Sequence, residues 1–150
     1  MFLNILVAYD GSRSASAALQ QAIDLARTQN SKLTIVTVAP PVSPYAAFAG
    51  VSEDRMKAEL ESWAAQVGKE AADAAPSDVI VHTVQRTGHV GEEIVKELEA
   101  GSCDLVVLGS RGHGRVGSSV LGSVNGYVHF HSKVAMLSID DPGEASQSRE

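Results

Sequence analysis

Five short apolar segments alternate with segments of helical spacing along this chain of 150 residues, and the alternation limits the folds available to it. The segments are residues 3–9, 33–39, 79–86, 105–108 and 134–139. They are mostly apolar along their whole length, which is typical of strands buried on both faces of a parallel sheet. The pattern predicts an α/β fold, with an open twisted five-stranded parallel sheet and helices on both faces.

Four helices are predicted between these strands. The first carries small apolar residues at helical spacing from Ala15 to Ala26, and the second is a long helix that begins near Ser52. The third follows Gly88, and the fourth ends near His131. Residues 40–51 are predicted to be a loop, because they contain three prolines, and a loop of this length in a compact domain is functional or mobile.

A glycine-rich stretch follows the fourth strand and leads into the last helix. Its glycines are Gly109, Gly112, Gly114, Gly117, Gly122 and Gly126. Glycine allows the backbone to approach a ligand closely, and a helix N-terminus places the positive end of its dipole nearby. From Leu105 to Ile139 there is no Asp or Glu, whereas Arg111, Arg115 and Lys133 are present. The stretch therefore predicts an anion site, best suited to phosphate.

Two motifs, one in the glycine-rich stretch and one at the end of the first strand, resemble a known family. The spacing Gly109-x2-Gly112-x9-Gly122-Ser123 resembles the nucleotide-binding signature of the universal stress protein family, in its ATP-binding branch. The first strand ends in Tyr9-Asp10-Gly11-Ser12, which is similar to the opening of that family, and the layout matches from Phe2 to Ile139. The resemblance implies the strand order 3-2-1-4-5, which places Asp10 and the glycine stretch across one crevice at the carboxyl ends of the first and fourth strands.

The resemblance also implies a set of nucleotide-binding residues at the strand ends and in the glycine stretch. They are Ala8, Asp10, Val38, Leu108, Gly109, Arg111, Gly112, Gly122, Ser123 and Val124. In the family the matching aspartate binds the ribose hydroxyls, Ala8 and Val38 match positions lining the adenine pocket, and Leu108 would add an apolar wall. The glycines, Ser123 and Val124 would contact phosphate and ribose, and Arg111 could meet phosphate charge.

Simpler roles remain open for several of these residues. Asp10 could cap the first helix, Gly122 could serve only to let the last helix pack closely on the sheet, and Arg111 could be a solvated loop cation. The G-x-G-x-x-G from Gly112 to Gly117 follows the fourth strand instead of the first, which disfavours a nicotinamide or flavin site. A P-loop is also disfavoured, because Ser123 stands where the lysine should be.

The resemblance implies ATP as the ligand, with or without Mg²⁺, and a homodimer formed through the last strand, from Val134 to Ile139. No nucleophile elbow, metalloprotease motif or pair of carboxylates lies near the glycine stretch, so a binding module is favoured over an enzyme. Three alternatives stay open: a dimeric interaction protein that binds no nucleotide, a cAMP receptor, and a slow ATP hydrolase.

Composition and net charge further limit the functional classes open to this chain. The net charge of −6 disfavours general binding to nucleic acid or to an anionic membrane, and no apolar run is long enough to span a bilayer. A single cysteine, Cys103, precludes an internal disulfide, and its place beside an apolar strand predicts an inert buried thiol. These features predict one cytoplasmic domain over residues 1–140 and a flexible C-terminal tail over residues 141–150.

Overall fold

The computed structural model describes residues 1–110 and 122–145. Arg111 and Gly112, two of the predicted ligand contacts, lie outside the described residues.

A five-stranded parallel sheet forms the centre of the molecule. Its strands are β1 (Asn4–Ala8), β2 (Lys32–Ala39), β3 (Val81–Thr87), β4 (Leu105–Gly109) and β5 (Ala135–Ile139). Their order is β3-β2-β1-β4-β5, and every pair is parallel. In the register, Ile5 on β1 lies beside Leu33 on β2 and Leu105 on β4. The predicted fold class and strand order are confirmed, and the strand boundaries differ from the predicted ones by one or two residues at most ends.

Helices cover both faces of this sheet. They are α1 (Arg13–Gln29), α2 (Glu53–Ala74), α3 (Val90–Ala100) and α4 (Ser123–His131), followed by a short α5 (Pro142–Ala145). Ser12 begins α1 by accepting a hydrogen bond from the Ala15 N–H, and Ser52 does the same for Arg55 at the start of α2. Asn30 ends α1 in the left-handed conformation that helix C-termini favour.

Alternate residues of each central strand enter two separate cores. On β1, Ile5 and Val7 pack in the core beneath α1 and α2, whereas Leu6 packs in the core beneath α3 and α4. Because both cores are needed, the central strands must be apolar on both faces, which accounts for their continuous apolar sequences.

Two segments hold more structure than the sequence indicates. The predicted loop contains a 3-10 helix at Pro44–Ala49, which begins with Ser43 as its cap and proline at its first position. In the C-terminal segment, Asp141 pairs with Arg13 on α1 at 3.4 Å, just before the short α5. The flexibility of residues 141–150 stays a prediction.

Cys103 is buried, as predicted for an inert thiol, and burial raises its pKa from 9.0 to about 11. Within residues 1–110 and 122–145, no helix is both long and apolar enough to cross a membrane.

Thr37 on β2 provides a test of the packing beneath α2. Its hydroxyl is buried beside Gly68 and has no hydrogen-bond partner among the described residues. A buried hydroxyl without a partner costs free energy that an apolar group of the same shape does not. We therefore expect Thr37→Val to raise the free energy of unfolding by about 1 kcal/mol, measured by urea denaturation. Thr34→Val, on the same strand but less buried, serves as the control, and a loss of stability in Thr37→Val would contradict the assignment.

Candidate functional site

A cavity of about 570 Å³ lies at the carboxyl ends of β1, β2 and β4. Its volume is in the range of pockets that enclose a small organic ligand. The structure places eight of the ten predicted site residues on its wall: Ala8, Asp10, Val38, Leu108, Gly109, Gly122, Ser123 and Val124. The cavity therefore sits at the switch point of the sheet, where β1 and β4 are neighbours and their following helices lie on opposite faces.

The floor of the cavity is apolar. Val36, Val38 and Leu108 are buried residues of the α3–α4 core, and they reach the cavity from the ends of their strands. Ile94 and Val90 add the inner side of α3. A flat apolar group, such as a heterocyclic base, would remove this surface from water and gain hydrophobic free energy.

The N-terminus of α4 forms another part of the wall. Gly122 is the N-cap, with φ −41° and ψ 145°, and the helix runs from Ser123. The Gly126 N–H donates to the Gly122 carbonyl at 3.2 Å, which is the first hydrogen bond of the helix. The N–H groups of a first helical turn have no carbonyl acceptor within their own helix, and they carry the positive end of the helix dipole. An anion in the cavity near Ser123 and Val124 would meet this positive end.

Asp10 lies across the cavity from this helix end. Its Oδ1 accepts a hydrogen bond of 2.9 Å from the Ser12 N–H. Ser12 is the N-cap of α1, and Asp10 satisfies the Ser12 N–H at the turn before the helix. This local role is compatible with a ligand contact by the same carboxylate. A carboxylate has further acceptor sites, which suit ligand hydroxyl groups.

Gly109 and Gly122 differ in the space around them. A Cβ at Gly109 would lie 2.6 Å from Ser14 Oγ and 2.7 Å from the Ala15 nitrogen, so α1 packs directly on this glycine. Among the described residues, a Cβ at Gly122 would have its nearest neighbours at 3.8 and 3.9 Å, which is ordinary contact. Packing against the described residues therefore requires a glycine at Gly109 but not at Gly122.

Several wall residues were not identified from the sequence. Trp63, Tyr127 and Asn125 line the cavity from α2 and α4. Asn125 is 2% exposed, and its Nδ2 donates to Ser138 Oγ on β5 at 2.9 Å. No short sequence motif marks any of the three. The one signal in the sequence is that Asn125 directly follows the predicted contact Val124.

Tyr127 also fixes the distance between α3 and α4. A Cβ at Gly91 would lie 2.8 Å from Tyr127 Cδ1, so the two helices touch where glycine meets the ring. The tyrosine ring also stacks on His131, with ring centroids 3.9 Å apart. Both Gly91 and Tyr127 line the cavity, and the contact therefore sets the position of that wall.

A charged cluster behind the cavity fixes α3 to the edge strand β3. Arg86 contacts Glu97 at 2.7 Å and Glu93 at 3.1 Å, and Lys96 contacts Glu93 at 2.8 Å. The hydrogen bond from Lys96, followed by that from Arg86, lowers the pKa of Glu93 despite its burial. The four residues of this cluster do not lie on the cavity wall, but they hold α3, and the first residues of α3 line the cavity. We therefore assign the cluster a positioning role.

In the part of the chain that the structure describes, no three His, Cys, Asp or Glu side chains cluster in a way that could hold a metal ion. Asp10 and Glu92 are the acids on the described wall of the cavity. The site is thus a mostly apolar pocket with a carboxylate on one side and a helix N-terminus on the other.

A doubly wound sheet with such a cavity at its switch point defines a class of ligand-binding α/β proteins. The model of the universal stress protein family matches residues 1–139, and the chain belongs to that family. Universal stress protein Sll1388 of Synechocystis is 33% identical over 147 residues, which cover 89% of this chain and 94% of the relative.

Solved structures agree with the assignment. Universal stress protein UspA from Lactobacillus plantarum has a TM-score of 0.70 at 25% identity, over 91% of this chain and 97% of that one. A universal stress protein in complex with cAMP has a TM-score of 0.66 at 27% identity, over 93% of this chain and 98% of that one.

Proposed function

We propose that this chain binds ATP in the cavity between β1 and β4 and acts in the stress response as a cytoplasmic homodimer. One observation carries the binding proposal: Asp10 and the N-terminus of α4 with Gly122 and Ser123 line the same cavity of about 570 Å³. A carboxylate that accepts hydroxyl hydrogen bonds and a helix end that attracts phosphate match the two polar parts of a nucleotide.

The roles of the wall residues follow from this arrangement. The base would lie on the apolar floor formed by Ala8, Val38 and Leu108, and the ribose would lie near Asp10. Phosphate would approach Gly122, Ser123 and Val124, together with Gly109 and with Arg111 and Gly112 from the rest of the glycine stretch. Mg²⁺, where present, would be carried by the phosphates, because the described wall offers few carboxylates.

A cAMP receptor is the second candidate, because a solved relative of 27% identity is in complex with cAMP. The two ligands differ in chemistry. The ribose of ATP offers two hydroxyl groups to Asp10, whereas the cyclic phosphate of cAMP uses the 3′ oxygen and leaves one. The long glycine stretch, which is free of acids, favours the ligand with more phosphate groups.

We expect calorimetric titration with ATP to give a micromolar dissociation constant, about −8 kcal/mol. Asp10→Ala should weaken ATP binding more than cAMP binding, because it removes the acceptor for two hydroxyl groups in one case and for one in the other. Absence of both heat and thermal shift with ATP, ADP and cAMP at millimolar concentration would contradict nucleotide binding and leave the non-binding dimer. Tighter binding of cAMP than of ATP would favour the receptor.

A third candidate, a slow ATP hydrolase, can be tested on the same protein samples. Phosphate release from ATP that persists through purification and is lost in Asp10→Ala would assign a reaction to the site. We propose a binding protein instead, because the described wall provides few groups that could act as a base or hold a metal.

The proposed homodimer would use β5. The two edges of the sheet are β3 and β5, and an edge strand presents unpaired N–H and C=O groups to another chain. β3 carries Arg86 and His82, whereas β5 reads AMLSI and carries no charge. Phe130, on α4 shortly before β5 in the chain, is 84% exposed. Charge protects one edge from pairing and leaves the other suited to it.

We also propose that residues 1–140 form the nucleotide-binding domain and that the C-terminal tail from residue 141 makes no part of the site.

A further inference from the structure

We propose that Trp63 contacts the nucleoside part of the ligand and gives the cavity its preference for nucleotides over phosphate compounds without a base. The inference rests on the proposed nucleotide binding and extends it to a residue that determines specificity. Trp63 is the chain's single tryptophan, and it lines the cavity from α2.

Trp63 reaches the cavity from the side of the sheet opposite the apolar floor. α2 covers the same face of the sheet as α1, since Ala71 of α2 packs in the core beneath α1 and α2. The floor residues Val36 and Val38 belong to the core on the other face. A ligand on that floor that extends over the ends of the strands would therefore meet the indole on its opposite side.

The position of Trp63 along α2 places it above the turn that carries Asp10. A Cβ at Gly11 would lie 3.9 Å from Val67 Cγ2, so Val67 packs on the residue that follows Asp10. Trp63 precedes Val67 by one helical turn on the same side of α2. α2 runs toward the opposite end of the sheet, so its earlier turns lie nearer the cavity mouth. The indole therefore stands over the expected position of the ribose and the base.

The backbone beneath Trp63 is well anchored. Ala64 is 1% exposed and Val67 is 7% exposed, and both pack between α2 and the sheet. The indole itself is half-buried. A large flat side chain on a fixed helix turn can contact a ligand with little loss of conformational entropy.

The described wall also carries the rings of two tyrosines, Tyr127 and Tyr9. Tyr127 contacts Gly91, and its ring stacks on His131. Tyr9 packs against the core beneath α1 and α2. Trp63 has the largest π surface of the three and the greatest stacking capacity.

An indole distinguishes a nucleotide from free phosphate by its chemistry. Bases and sugars have apolar faces that stack on an aromatic ring, and removing such a ring typically lowers affinity by roughly 5- to 150-fold. A hydrated phosphate chain has no apolar face to stack. Trp63 should thus contribute to ATP binding and leave the binding of inorganic tripolyphosphate unchanged.

The test compares ATP with inorganic tripolyphosphate in calorimetric titrations of the full chain. We expect Trp63→Ala to weaken ATP binding about tenfold and to leave the affinity for tripolyphosphate within twofold, while Trp63→Phe keeps most of the ATP affinity. Phe48→Ala is the matched control, because Phe48 is an aromatic residue that is 89% exposed and is not on the cavity wall. Its ATP affinity should equal that of the unaltered chain.

Fluorescence of the unaltered chain gives a second measurement that needs no substitution. Since all tryptophan emission comes from Trp63, ATP should change its intensity or wavelength, and tripolyphosphate should change it much less. Unchanged emission on saturation with ATP would overturn the proposal even if Trp63→Ala failed to fold. Unchanged ATP affinity in Trp63→Ala, or an equal loss for both ligands, would also overturn it. An unaltered chain that binds no ATP would instead refute the proposed function itself, and this inference with it.

Discussion

Gly122→Val is expected to abolish ATP binding while the protein stays folded. Gly122 has a negative φ, −41°, and among the described residues a Cβ there would meet its nearest atoms at 3.8 and 3.9 Å. The described residues therefore leave room for the first carbon, whereas the two further methyl groups would project at the cavity wall where phosphate is proposed to bind. Valine is a poorer N-cap than glycine, so a modest loss of stability, about 1 kcal/mol, should accompany the loss of binding.

Gly109→Ala is the matched control for this variant, because it also replaces a glycine on the cavity wall. Here the added carbon would lie 2.7 Å from backbone atoms of α1, and α1 would have to move. We expect the melting temperature of Gly109→Ala to fall clearly, because overpacking should lower the free energy of unfolding by about 1–3 kcal/mol or more.

Ser123→Ala completes the series. It should weaken ATP binding by about 1–2 kcal/mol if the hydroxyl donates to a charged phosphate. Circular dichroism melts and ATP titrations of the three variants provide the measurements. A strongly destabilised Gly122→Val together with full ATP affinity in Ser123→Ala would mean that Gly122 is a packing residue and that phosphate binds elsewhere.

Leu137→Lys is expected to convert the proposed dimer into a monomer. Leu137 lies on β5, the edge strand without charge, and antiparallel pairing of two copies would bring two added lysines into one apolar interface. Burying an unpaired ammonium group is costly, so association should be lost at tens of micromolar. Light scattering gives the mass directly, and a monomeric mass for the unaltered chain would contradict the dimer at once.

Two further variants separate loss of pairing from loss of folding. Leu137 also packs partly against the core beneath α1, so the lysine could act through stability. Ala135→Lys adds the same charge at an exposed position of β5, and Thr83→Lys adds it at an exposed position of the other edge strand, β3. Only the substitutions on β5 should reduce the mass. A dimeric Ala135→Lys with an unfolded Leu137→Lys would place the interface elsewhere.

The sheet could be predicted because its signal is local. The segment that became β4 is a continuous run of buried apolar residues, and such a run has few other structures open to it. The order of the strands could not be predicted from local signals, because an alternation of strands and helices allows several orders. The correct order came from the family resemblance. The start of the second helix was predicted near Ser52, and Ser52 is the N-cap of α2, whereas the cap of α1 is Ser12 and had been considered for Asp10.

The wall residues could be predicted where they follow the ends of the strands or belong to the glycine motif, as Gly122 and Ser123 do. Ala8, Asp10 and Leu108 lie on the cavity wall because the carboxyl ends of neighbouring parallel strands converge. Trp63 could not be found in this way, since it approaches from a helix on the other face, and a helical apolar stripe does not indicate which of its members reaches past the core. Asn125 could not be found either, because no sequence pattern indicates that its buried amide bonds to Ser138 and links α4 to β5.

The wall of the cavity draws on residues from Ala8 to Tyr127 and on both faces of the sheet. A partly folded chain in which α3 or α4 had not yet packed would lack one side of it, and an unfolded chain would lack the cavity altogether. A ligand that binds only the complete cavity stabilises the native state by mass action, by about 2.7 kcal/mol at a free concentration one hundred times its dissociation constant. The resistance of this protein to heat and to proteolysis would then vary with the concentration of its ligand.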